Sequence, residues 1–133
     1  MKTSLLFRIA AMLGALAVAL GAFGAHALKE LLIQNQREDT FELAVRYHFY
    51  HVFALALTAV LTLYYQSNRL YLAAWLFLAG IFLFSGSLYV LSLFNIRQVA
   101  LITPVGGISF IAGWLVLFSA FTKKAALKKS SLQ

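Results

Sequence analysis

IAAMLGALAVALGAFGAHAL, from Ile9 to Leu28, is the stretch on which the fold turns. It holds no charged residue, and its one strongly polar side chain, His26, stands near its end. At a helical rise of about 1.5 Å per residue, such a run covers the roughly 30 Å of hydrocarbon in a bilayer. Three comparable runs follow: Tyr47 to Gln66, apolar after its first two turns, Tyr71 to Phe94, and Val99 to Phe121. The gaps from Ser67 to Leu70 and from Asn95 to Gln98 are short, which forces sequential neighbours to lie antiparallel. Only the first connection, Lys29 to Arg46, is longer. The chain of 133 residues is 62% hydrophobic and 11% charged, more apolar surface than a soluble fold of this size can hide. The expectation is an all-α integral membrane bundle of four transmembrane helices, at about 5–28, 41–66, 71–94 and 99–121. These form a single domain over 1–121, followed by a basic tail over 122–133.

The net charge of +7 could suggest nucleic acid, but a phosphate-binding surface needs Lys and Arg clustered on a wet face. Here the basic residues flank the apolar runs, so nucleic acid is rejected as a partner and membrane lipid is expected. Lys2, Arg8, Arg69, Lys123, Lys124, Lys128 and Lys129 fall on one side, and Lys29, Arg37, Arg46 and Arg97 on the other. The richer side is read as cytoplasmic, which gives a multi-pass protein of the cell (inner) membrane with both termini inside. Ala25-His26-Ala27 resembles a signal-peptide cleavage site, but the apolar stretch before it is longer than an ordinary signal core. The absence of Cys excludes disulfide, thiolate and iron–sulfur chemistry.

Local patterns add detail. Asp39 and Glu42 have the spacing of a capping box at the start of the second helix, and Glu42 with Arg46 suits an i,i+4 ion pair. Gly14, Ala17, Gly21 and Gly24 make a smooth face on the first helix, suited to close packing within the bundle or to a homo-oligomer. Pro104 stands near the start of the fourth helix, where its missing N–H costs least.

Depth is the most informative pattern. The third run is apolar from Leu72 to Phe84, and then Ser85, Ser87, Tyr89 and Ser92 arrive together. His26 closes the first run, Tyr47, His48, Tyr50 and His51 open the second, and Thr103 opens the fourth. All of these fall in the extracytoplasmic half. Unpaired polar groups in hydrocarbon cost several kcal/mol, so the side chains are expected to turn inward. His48, His51, Leu55, Thr58 and Thr62 repeat at 3-4-3-4 spacing and mark the buried face of the second helix. The candidate ligand-binding set is therefore His26, Tyr47, His48, His51, Ser85, Ser87, Tyr89 and Thr103, lining an outward polar pocket. His26, His48 and His51 have three readings: ligands for a metal or haem iron, proton handling, or helix-to-helix hydrogen bonds, the last being the leading one. No catalytic carboxylate pair, phosphate loop or Ser/His/Asp set is evident, so the chain reads as non-enzymatic.

GAFGAHAL (Gly21 to Leu28), FELAVRYHFYH (Phe41 to His51), FSGSLY (Phe84 to Tyr89), TPVGG (Thr103 to Gly107) and Gly113-Trp114 resemble, in order, the family called domain of unknown function 423. That family includes small bacterial inner-membrane proteins and transmembrane protein 256-like proteins. The resemblance implies a four-helix membrane protein and no established activity. The first functional reading is thus a membrane protein that binds a small ligand, lipid or ion in the pocket, or stabilises the membrane or a partner. The alternative is a histidine-ligated metal or haem redox protein. A small transporter ranks last, since the helix pairs show only faint internal symmetry.

Overall fold

The computed structural model describes residues 3–121, so the basic tail over 122–133 lies outside the described residues. Helix α1 is Thr3–Ala25, a short α2 is Lys29–Gln34 and α3 is Glu38–Tyr64. Helix α4, Asn68–Gly80, runs through a π-helical turn, Ile81–Ser85, into α5, Gly86–Phe94. A 3-10 turn, Arg97–Leu101, leads into α6, Thr103–Ser119. Four stretches are long and apolar enough to cross a membrane: Thr3–Ala25, Glu38–Tyr64, Asn68–Phe94 and Arg97–Ser119. Helices are the natural outcome, because hydrocarbon leaves backbone N–H and C=O groups no partner outside their own segment.

The expected capping box is corrected. Helix α3 starts at Glu38, after Arg37, and no side chain caps it. Asp39 thus lies inside the first turn, where with Glu38 it faces the positive end of the helix dipole. The Glu42–Arg46 ion pair does form, at 3.6 Å on the surface. Asn95 ends α5 in the left-handed region (φ 53°), a conformation its short polar side chain tolerates.

Close backbone packing runs in series, α1 on α3, α3 on the α4–α5 rod, and that rod on α6. The two middle spans form the centre, with half of the third span's apolar window buried against 22% for the first and fourth. The flanking helices turn apolar stripes outward, such as Ile108, Ile111, Leu115 and Phe118 on α6. On the buried side, His48, His51, Leu55, Thr58 and Thr62 of α3 are all enclosed.

Glycines set both outer seams. Gly14, Gly21 and Gly24 of α1 meet Val52, Val45 and Phe41 of α3 in antiparallel order, so the glycine face is occupied by a helix of the same chain. Across the other seam, Gly80 faces the ring of Phe110 and Gly113 faces the ring of Phe77. Gly106 lies against the backbone of Leu83 and Phe84, inside the π turn. A π turn inserts an extra residue into the helical ladder and widens it, and Gly106 fits against that bulge because it has no side chain. Polar ties finish the frame. Ser109 donates to the Leu76 carbonyl at 3.0 Å, and Arg69 donates to the Ser119 carbonyl at the end of α6.

Candidate functional site

The polar residues named from the sequence divide into separate pairs at the α2 end of the bundle. His51 is 5% exposed, and its Nδ1–H donates to the Tyr47 carbonyl at 2.8 Å. A carbonyl only accepts, so the neutral ring keeps its lone pair on Nε2, which takes the Trp114 indole N–H at 3.4 Å. The ring stacks on Phe110 with centroids 3.4 Å apart and planes 10° apart. His51 is therefore a fully engaged tie between α3 and α6.

His48 is 2% exposed, and its Nδ1 pairs with the Tyr89 hydroxyl at 3.2 Å. Its Nε2 is buried without a partner, and so is the Ser85 hydroxyl. Ser87, Ser92 and Thr58 each bond back to a carbonyl of their own helix, which makes Ser85 the exception. The two orphan atoms belong to one layer: Tyr47 stacks on Phe84 at 4.7 Å, and His48 meets Tyr89, so His48 sits level with the turn that carries Ser85. Ser87 spends its proton on the Phe84 carbonyl, so Thr103 donates to Ser87 Oγ at 2.7 Å and ties α6 to α5.

His26 does not join them; it stands exposed on the turn after α1. Among the described residues no group of three or more His, Cys, Asp or Glu could hold a metal ion. The structure does not bring His26, His48 and His51 together as one ligand set. The first points away from the bundle, and the ring nitrogens of the third are both taken by protein groups.

An open groove lies elsewhere at the same end. Its volume is about 520 Å³, and it is lined by Gly21, Gly24 and Ala25 of α1, Lys29 and Leu32 of α2, and the first turns of α3 from Glu38 to Arg46. None of the eight residues singled out from the sequence lines it. Gly21 and Gly24 add no side chain to the α1 wall, the ring of Phe41 packs directly on Gly24, and Leu32 and Phe41 are each 3% exposed. Lys29, Glu38, Glu42 and Arg46 put two positive and two negative side chains around it. The sequence signal was present but read otherwise: Gly21 and Gly24 as packing, and Glu42 and Arg46 as a local ion pair.

Asn35 is a second residue that depth and periodicity pass over. From the turn after α2 its amide donates to the carbonyls of Ser92 and Leu93, at 2.9 and 3.2 Å. These are last-turn carbonyls of α5 that have no acceptor duty within the helix. The contact fastens the α2 segment over the third span and so holds one wall of the groove in place.

Comparison with known proteins places the chain. Residues 20–107 match the family model described as "Protein of unknown function (DUF423)". The UPF0382 membrane protein YwdK of Bacillus subtilis is 43% identical over 109 residues, covering 81% of this chain and 88% of the relative. A Staphylococcus aureus relative, UPF0382 membrane protein SAB0533, is also 43% identical, over 83% of this chain and 88% of its own length. The UPF0382 inner membrane protein YgdD of Escherichia coli K12 is 37% identical, over 88% of both chains. No solved structure matches. The matched segment takes in the whole groove, the π turn and the His48–Tyr89 pair, and with its four spanning helices the chain belongs to the DUF423 family of multi-pass membrane proteins.

Proposed function

We propose that this protein is a non-enzymatic membrane protein that holds an amphipathic small molecule, a lipid, in the groove between α1, α2 and α3. The carrying observation is the groove itself, about 520 Å³, lined by glycine, Ala25, Leu32, Phe41 and Val45 together with four charged side chains. An apolar interior with a few polar groups at one edge is the usual make-up of a small-molecule site. The Lys/Arg asymmetry supports an orientation with both termini in the cytoplasm, which turns the groove to the extracytoplasmic leaflet. Its charged side chains then lie at headgroup level.

A ligand that binds only the folded state raises the melting temperature. The full chain, purified in a mild non-ionic detergent, should melt higher when phospholipid is added. Gly21→Leu, which places a side chain in the groove, should melt without that response. An equal lipid-induced rise in both proteins would remove the groove as the binding place.

A further inference from the structure

From the charge layout at this end of the bundle, and resting on the groove reading above, we infer that the occupant is a phospholipid whose headgroup carries both a phosphate and an ammonium. The two ends of the protein differ sharply in charge. All four acidic residues, Glu30, Glu38, Asp39 and Glu42, lie at the α2 end, together with Lys29, Arg37, Arg46 and Arg97. That end is balanced, so the whole net charge of +7 belongs to the other end and the tail. The groove repeats the balance locally, with Lys29 and Arg46 set against Glu38 and Glu42.

An anionic headgroup would bring its phosphate to Lys29 but would leave the carboxylates facing more negative charge. A free cation would satisfy the carboxylates and leave the bases and the apolar lining unused. A zwitterionic headgroup answers both signs at once. Arg46 and Glu42 already neutralise each other in part, at 3.6 Å, which leaves Lys29 as the principal phosphate partner and Glu38 as the principal ammonium partner. The order of the lining fits a lipid's own order. Lys29 and Glu38 stand at the starts of α2 and α3, and Gly21, a turn further into α1 than Gly24, adds no side chain to the lining where an acyl chain would begin. Phe23, Leu31 and Leu43 are exposed on the same elements and keep the surroundings apolar for the remaining chain length.

Native mass spectrometry of the full chain in detergent tests this, with dioleoyl phosphatidylethanolamine and dioleoyl phosphatidylglycerol added at equal concentration. The expected result is retention of one phosphatidylethanolamine with an affinity about fivefold above that for phosphatidylglycerol, the scale of one charge interaction at a membrane surface. Glu38→Gln with Glu42→Gln should erase or reverse the preference, and Lys29→Gln should weaken both lipids. Equal retention of the two lipids would overturn the headgroup assignment and leave the groove reading standing. Retention of neither would overturn both. Should Gly21→Leu fail to fold, a phosphatidylethanolamine with a photoreactive diazirine on its acyl chain supplies the second readout. Labelling of the Gly21–Ala25 and Phe41–Arg46 segments supports the assignment, and labelling confined to α6 overturns it.

Discussion

The two outer seams of this bundle use the same residue at different degrees of closeness. Between α1 and α3, a methyl group added at Gly14 or Gly21 would rest 3.5 or 3.4 Å from a valine, an ordinary contact or nearly so, and only at Gly24 would it collide, with the ring of Phe41. Between the third span and α6, a methyl at Gly113 would stand 2.7 Å from the Phe77 ring, and one at Gly106 would collide with main chain. The second seam is closed at Gly80, Gly106 and Gly113; the first is tight at Gly24 and looser at Gly14 and Gly21, and the groove lies beside Gly21 and Gly24. A GxxxG-like spacing therefore says that a helix face is smooth, and the partner's side chains decide whether that smoothness becomes contact or space.

Substitutions can break this comparison, and the largest effect should come from Gly106→Ala. Its neighbour is the backbone of Leu83 and Phe84, which cannot rotate aside, so a loss of about 3 kcal/mol or more is expected, at the upper end of overpacking penalties. Reversible unfolding in mixed micelles would measure it, and a near-neutral result would mean that the π turn can yield. Gly113→Ala presses on the Phe77 ring, which can tilt, and should cost about 1–3 kcal/mol by the same assay. Removing the Asn35 amide with Asn35→Ala should cost about 1 kcal/mol through its lost hydrogen bonds and speed backbone hydrogen exchange across α2. Gly14→Ala should stabilise by about 0.5–1 kcal/mol, because it restores helix propensity without a clash. A destabilising Gly14→Ala would show the first seam to be as tight as the second.

The buried polar layer gives the smallest and most discriminating shift. The hydroxyl of Ser85 is enclosed and unpaired, so Ser85→Ala should leave stability unchanged or raise it by up to about 1 kcal/mol. A clear loss of stability would mean that a hydrogen-bonded water joins Ser85 and His48 in the folded protein.

Much of this molecule was legible in its residues. The four runs emerged as spanning helices, because a helical segment in lipid must satisfy its own backbone and apolar length alone then determines it. The enclosed face of α3 followed from the spacing of His48, His51, Leu55, Thr58 and Thr62. The site was less legible. Depth grouped eight polar residues by level, but level says nothing about angle around the bundle axis. His26 turned outward, His51 was captured by Tyr47 and Trp114, and Ser87 paired with Thr103. Polar groups that can bond to a carbonyl one turn away have no need to meet one another.

By itself, then, the sequence determined the number of crossings, the level of the polar groups and the uneven distribution of charge, all of which are properties of position along a helix. Only the tertiary structure decided which glycines meet valine and which meet phenylalanine, and where along α1 a groove is left beside them. The physical reason is that packing depends on the relative rotation and partner of each helix, and these are set jointly by all the side chains at a seam rather than by either strand of sequence alone.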